Sequence, residues 1–213
     1  MQVRLLGQGG FGDVYLGTFF GRSVVSKKLR FDYERDKYIR VPSIWRQLNH
    51  PNIIPFLGLP SIDGLPHLMS PLMQNGAADD FVKDSPNVNR VRLLVQVAQG
   101  LEYMHARNPP IIHGDLKANN ILISEDGSAY LSDFGLSRAH VDPTNSIDGS
   151  SAPAPITMGY HSNFRWGAPE VILDDMCRTP ASDIFSFGRL SVQVGSTPPN
   201  FRKDYDILDT LGG

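Results

Sequence analysis

Three residues in one stretch, His113-Gly114-Asp115-Leu116-Lys117-Ala118-Asn119-Asn120, carry groups suited to phosphate chemistry. The Asp115 carboxylate can accept the proton of a hydroxyl. Lys117, two residues on, can neutralise charge on a phosphoryl group in transfer. Asn120, and Asp133 in the later triplet Asp133-Phe134-Gly135, offer hard oxygen ligands of the kind Mg²⁺ prefers. Singly, each is an ordinary loop residue. Together they point to phosphoryl transfer rather than to a chance loop and turn.

Two earlier stretches fit the same chemistry, each weakly by itself. Gly7-Gln8-Gly9-Gly10-Phe11-Gly12-Asp13-Val14 is a glycine-rich turn whose backbone can approach phosphate oxygens and offer N–H donors. A dinucleotide fingerprint has the same spelling but needs a helix directly after it. Here Asp13–Thr18 reads on as a strand, which disfavours that option. In Val24-Val25-Ser26-Lys27-Lys28, strand alternation puts Val25 and Lys27 on one face and Lys28 on the other. A lysine beneath a glycine-rich hairpin can pair with nucleotide phosphates, whereas a lone strand lysine is ordinarily a solvated edge residue.

The elements that must carry these groups fall into two styles. Up to about residue 70 the chain reads as short strands, Val3–Leu6, Asp13–Thr18 and Ser23–Lys28, with a helical stretch over 43–48. From Asn89, a plausible N-cap, Val91, Leu94, Val97, Ala98, Leu101 and Met104 recur at helical spacing. Ile121–Ile123 and Ala129–Leu131 read as strands around an Asp126-Gly127 turn. Residues 140–162, rich in Ser, Pro, Gly, Asn and Thr, show no period and read as a flexible loop within one domain. The fold class is therefore α+β, in two lobes: a β-rich N-lobe over about 1–69, a hinge at about 70–76 and a mainly helical C-lobe over about 77–213.

Composition excludes several alternatives. The 213 residues are 41% hydrophobic and 20% charged, ordinary for a globular domain. A formal net charge of -2 gives no basic field for nucleic acid or an acidic membrane surface. The apolar run Ile53–Leu59 is interrupted by Pro55 and Gly58 and is too short to span a bilayer. The first residues lack a signal-peptide core. Cys177 is the one cysteine, so no internal disulfide forms. His50, His67, His105, His140 and His161 have no spacing suited to a zinc site. A cytoplasmic protein with neither nucleic-acid nor membrane partners is expected; oligomeric state is not encoded.

The motifs, in this order and spacing, resemble the eukaryotic protein-kinase family across nearly the whole chain. Gly167-Ala168-Pro169-Glu170 and Ser182-Asp183-Ile184-Phe185-Ser186-Phe187-Gly188 complete the set. Ile44-Trp45-Arg46, His50-Pro51-Asn52-Ile53 and Asn163-Phe164-Arg165-Trp166 are similar to the tyrosine-kinase-like branch, particularly its fungal members. That branch mostly phosphorylates serine and threonine, and Lys117 agrees with it. The resemblance implies ATP and Mg²⁺ as cofactors and protein hydroxyls as substrates. It implies that Gly7, Gly9 and Gly12 cover the phosphates, that Val14 and Val25 roof the adenine, and that Lys27 holds the α and β phosphates. Ser70 would be the gatekeeper, Pro71 to Met73 the hinge strand and Leu122 the adenine floor. Asp115 would be the catalytic base, Lys117 a phosphate contact, and Asn120 and Asp133 the metal ligands. Trp45, Phe56, His113 and Phe134 fall where the family stacks an apolar spine, and Asp183 where it braces the catalytic loop. The activation segment would run from 133 to 170.

Several positions depart from the family. The helical Glu that pairs with the strand lysine falls at Val41, followed by Pro42; Glu34 lies two helical turns earlier. Val25 replaces the usual Ala. Gly114 replaces the Arg that normally binds a phosphate on the activation segment, so switching by phosphorylation at Thr144, Ser146, Ser150, Ser151 or Thr157 is less expected. The sequence stops before the family's last helices, which implies C-terminal truncation, an unpaired Glu170 and apolar surface around Phe185 to Val194. An active kinase, a pseudokinase serving as a binding or scaffold module, and a fragment unable to fold alone are the three readings carried forward.

Overall fold

A computed structural model describes residues 3–9, 12–28, 41–85, 87–139, 165–173 and 178–196. Strands β1 (Val3–Gly9), β2 (Gly12–Phe19), β3 (Arg22–Lys28), β4 (Ser61–Ile62) and β5 (Leu65–Pro71) form one antiparallel sheet in the order β1-β2-β3-β5-β4. The β2–β3 connection is a two-residue turn with Phe20 at φ 46° and Gly21 at φ 75°. Positive φ at both central residues matches the twist of the flanking strands. Register then fixes the inner face. Val14 lies opposite Lys27, Leu16 opposite Val25, Val25 opposite Ser70 and Lys27 opposite Leu68. With a side-chain period of two, Val14, Val25, Lys27 and Ser70 share that face, and Lys28 turns to the other, paired with His67.

The remaining described elements are mainly helical. They are α1 (41–45), α2 (Ala78–Asp84), α3 (Arg90–His105), α4 (Pro169–Leu173) and α5 (Pro180–Gly195). Two short antiparallel ladders accompany them, β6 (Ile111–Ile112) with β9 (Arg138–Ala139) and β7 (Ile121–Ile123) with β8 (Ala129–Leu131). In α3 the Asn89 side chain accepts the Arg92 N–H at 2.9 Å, satisfying one of the helix's orphan donors. Leu93, Val97, Leu101 and Met104 then form its buried stripe. Helix α5 starts with a reciprocal cap between Thr179 and Ser182, and Pro180 occupies its first turn.

The helix expected over 43–48 lies at 41–45 instead. Gln47 N–H bonds to Ile44 O and Leu48 N–H to Trp45 O, each at 3.0 Å, so the chain tightens into a closing turn. Pro42, placed in the first turn of the described helix, costs no ladder bond there. Trp45 is anchored by its indole N–H, which donates to Ile54 O at 2.7 Å.

One core joins both styles of structure. It includes Val41, Trp45, Ile53 and Leu68 from the first half and Leu101, Met104, Ile121, Leu131 and Phe134 from the second. Residues 52–54 lie against β8: Leu131 N–H donates to Asn52 O at 2.8 Å and Ile54 N–H to Leu131 O at 3.0 Å. Helix α3 approaches this strip at Gly100. A Cβ there would stand 2.8 Å from Leu131 Cδ1 and 2.9 Å from Asn52 O, and that carbonyl is fixed by its own hydrogen bond. Gly100→Ala gains about 1 kcal/mol of helix propensity but overpacks a site whose relief costs about 1–3 kcal/mol. The expected outcome is a melting temperature lower by a few degrees; a rise would refute the close approach.

Candidate active site

The chain from β5 passes through residues 72–77 into α2, and this link is stitched to β7. Asn75 N–H donates to Ile123 O at 3.1 Å, and Ile123 N–H to Gly76 O at 2.8 Å. Ala77 bridges to Leu122. Met73 and Leu122 both pack on the central cluster. Residues expected at a hinge and a floor are thus neighbours through backbone pairing. Ser70 is buried at the far end of the inner sheet face. Gly7, Gly9 and Gly12 lie in the β1–β2 hairpin, with Gly7 opposite Val14 and Gly9 opposite Gly12; Gly10 and Phe11, at its tip, lie outside the described residues.

The residues of the 113–120 loop converge directly. Asp115 Oδ2 accepts from Lys117 Nζ at 2.7 Å and from Asn120 Nδ2 at 2.8 Å. Asn120 Nδ2 also donates to the Asp115 carbonyl at 2.7 Å, committing its amide nitrogen to Asp115 and turning Oδ1 the other way. A 3-10 turn over Ala118–Asn120 sets the reach.

The second group spans the lobes. Lys27 Nζ from β3 donates to Asp133 Oδ2 at 2.8 Å. Asp133 has φ 60°, a left-handed conformation that aspartate tolerates better than most residues. Its Oδ1 receives the Gly135 N–H at 3.4 Å. The Asp133 carboxyl lies below its ordinary 3.8: burial opposes the charge, but the charge and hydrogen bond of Lys27, aided by the Gly135 N–H, outweigh it. A carboxylate lowered on folding stabilises the fold above the unfolded value and ceases to as pH falls through the folded one. Lys27→Met therefore costs about 1–3 kcal/mol at neutral pH. That gap to the native chain narrows as pH drops below 3.8, which urea midpoints across the range measure.

Ser132 ties the two groups together. Its N–H and Oγ both donate to Asn120 O, at 2.9 and 2.8 Å. Its own carbonyl accepts from His113 Nε2 at 3.0 Å, while His113 Nδ1 accepts the Asp115 N–H at 3.3 Å. Those two bonds fix the His113 tautomer with its proton on Nε2. Beneath them runs an aromatic stack: Phe56 and Trp45 have ring centroids 5.1 Å apart, Trp45 and Phe134 5.4 Å, Phe134 and His113 5.6 Å.

Helix α5 supports the loop from below. Asp183, 1% exposed, accepts the His113 N–H at 2.7 Å, the Gly114 N–H at 2.9 Å and His105 Nε2 at 2.9 Å. Ser186 Oγ donates to Trp166 O at 2.8 Å, Arg189 Nη1 to Arg165 O at 2.8 Å, and Trp166 Nε1 to Gln193 Oε1 at 3.0 Å. Sequence reasoning missed the roles of Ser132, His105 and Gln193, which carry no motif of their own. Val41, where the resemblance places a Glu, is 1% exposed in the core. Glu34, residues 140–164 and the serines and threonines expected as modification sites lie outside the described residues.

A five-stranded sheet joined through a short link to a helical lobe, with a lysine reaching an Asp-Phe-Gly aspartate, defines the class of two-lobed kinases. Over residues 1–206 the sequence matches the protein tyrosine and serine/threonine kinase family, and the chain belongs to it. It is 32% identical over 193 residues to serine/threonine-protein kinase TNNI3K of Mus musculus, a match covering 86% of this chain and 22% of that protein. It is 32% identical over 197 residues to serine/threonine-protein kinase CTR1 of Arabidopsis thaliana, again 86% and 22%. With L-type lectin-domain containing receptor kinase IV.1 of Arabidopsis thaliana it shares 32% over 215 residues, 95% of this chain and 30% of the relative. The chain thus spans less than a third of the length of these relatives.

Proposed function

We propose that this chain is an ATP-dependent serine/threonine protein kinase that moves a γ-phosphoryl group to protein hydroxyls. The observation that carries the reading is the convergence of Lys117 and Asn120 on the Asp115 carboxylate, joined through Ser132 to the Lys27–Asp133 pair. Similarity to two proteins named serine/threonine kinases supports the acceptor class, and so does Lys117 beside Asp115. A cytoplasmic location belongs to the same reading. No helix among the described residues is long and apolar enough to cross a membrane.

The donor set fits Mg²⁺. Asp133 is a carboxylate held ionised and Asn120 presents an amide oxygen, and Mg²⁺ sites of this kind take one or two protein oxygens, the rest being phosphate and water. Asn120 and Asp133 would hold the metal. Gly7, Gly9, Gly12, Val14, Val25, Ser70, Met73 and Leu122 would enclose the nucleotide, with Lys27 on its phosphates. Bound Mg-ATP supplies the phosphoryl group and the neutralisation of its charge. The chain itself positions and polarises. Asp115 orients the acceptor hydroxyl and takes its proton, Lys117 sets positive charge beside that carboxylate, and Asn120 fixes the loop's curvature through the Asp115 carbonyl.

The buried Val41 favours a second reading, a pseudokinase that binds ATP without transferring phosphate. Two measurements test them, and the second separates them. Mg-ATP is expected to raise the melting temperature under either reading. Labelled phosphate is then expected on serine and threonine of a generic protein substrate. Thermal stabilisation without label would leave the pseudokinase; label on tyrosine alone would refute the acceptor class.

A further inference from the structure

We propose that Arg178 is a positioning residue of the catalytic loop, and that it delivers from outside the cation which the chain lacks at position 114. The catalytic part of this inference rests on the kinase reading above. Gly114 has φ 79°, and a Cβ built there would meet Leu136 O at 3.0 Å and Arg178 Cδ and Nη1 at 3.4 Å each. The guanidinium and its stem therefore occupy the space a side chain at 114 would need. A Cβ at 114 would already touch Arg178, so a longer side chain there would compete with the arginine for that space.

Arg178 is held on both sides of this contact. It is 4% exposed. Its carbonyl accepts from Arg138 Nη2 at 2.8 Å, and Arg138 pairs with Ile112 immediately before the loop. The next residue, Thr179, caps α5, whose Asp183 binds the Gly114 N–H from below. Gly114 thus lies between Asp183 on its N–H and Arg178 at the place a Cβ would occupy. The arginine lines a small cavity with Asp115, Leu116 and Trp166, between the catalytic loop and the segment preceding α4. A guanidinium stays protonated at every working pH, so a permanent positive charge underlies the residue pair that carries Asp115. The family's arginine at 114 and this arginine at 178 reach one region from two points of the chain.

A double-mutant cycle tests the placement and needs no catalysis. Gly114→Arg is expected to lower the melting temperature strongly in the native background, and by several degrees less once Arg178→Ala has emptied the space. Shifts that simply add would overturn the contact. Turnover tests the positioning role. Arg178→Met, which keeps the stem and removes the charge, is expected to lower kcat about tenfold with KM for ATP nearly unchanged. Arg178→Lys is expected to recover most of that loss. Native kcat in Arg178→Met, or no rescue by lysine, would overturn the role. If Arg178→Met does not fold, the lysine variant decides: kcat near native supports the role, and a loss as large as that expected for methionine overturns it. If no variant and not even the native chain transfers phosphate, while the melting cycle stays non-additive, the kinase reading fails and the contact stands.

Discussion

Asp115→Asn is expected to abolish the proposed phosphate transfer, with kcat falling about a thousandfold while Mg-ATP still raises the melting temperature. A positioned general base contributes about 10²–10⁴-fold, and an amide of the same shape cannot take a proton. The geometry predicts little collateral damage. Asn120 Nδ2 keeps its bond to the main-chain carbonyl at 115, and the Lys27–Asp133 pair does not touch the substituted group. Nucleotide affinity should therefore hold as turnover disappears. Persistent transfer in this variant would remove Asp115 from the role of base.

The largest expected loss of stability follows Asp183→Ala. Its carboxylate takes three hydrogen bonds in a nearly solvent-free setting, two of them from the backbone of His113 and Gly114. Each buried N–H left without an acceptor costs about 1–3 kcal/mol, and the vacated volume adds to it. A total of about 3–5 kcal/mol is a large share of the stability of a typical domain. At roughly 2–4 °C per kcal/mol for this chain length, the melting temperature drops by about 10 °C. Asp183→Asn should also destabilise. Its amide nitrogen must face one of the N–H donors that the second oxygen now satisfies. A variant melting within a degree of the native chain would contradict the hydrogen bonding described here.

Local signals in the sequence are legible where one residue type does one job. The Asp126-Gly127 turn delimited β7 and β8, and Asn89 marked the start of α3. Alternation in β3 separated Lys27 from Lys28 because a strand's period leaves no other choice. The stacked aromatics were legible through resemblance. What escaped notice depends on contacts between distant segments. Nothing near Arg178 marks it as a neighbour of Gly114, since neither spacing nor composition encodes that approach. Nor does any local signal place the Asn52 carbonyl beside Gly100. The early end of α1 reflects the Trp45 bond to Ile54 and a tightened last turn, which no helical periodicity announces.

Helix α5 has a further consequence for motion. Its first turn carries the backbone of His113 and Gly114, and its later turns carry Arg165 and Trp166 through Arg189, Ser186 and Gln193. The 113–120 loop and the strip of chain leading into α4 are therefore indexed to a single rigid rod. Any displacement of the five-stranded sheet from the lower half would have to stretch or part the Lys27–Asp133 tie. Spacing within the lower half is left undisturbed. The sheet could therefore shift while the 113–120 loop and the strip before α4 keep their mutual spacing.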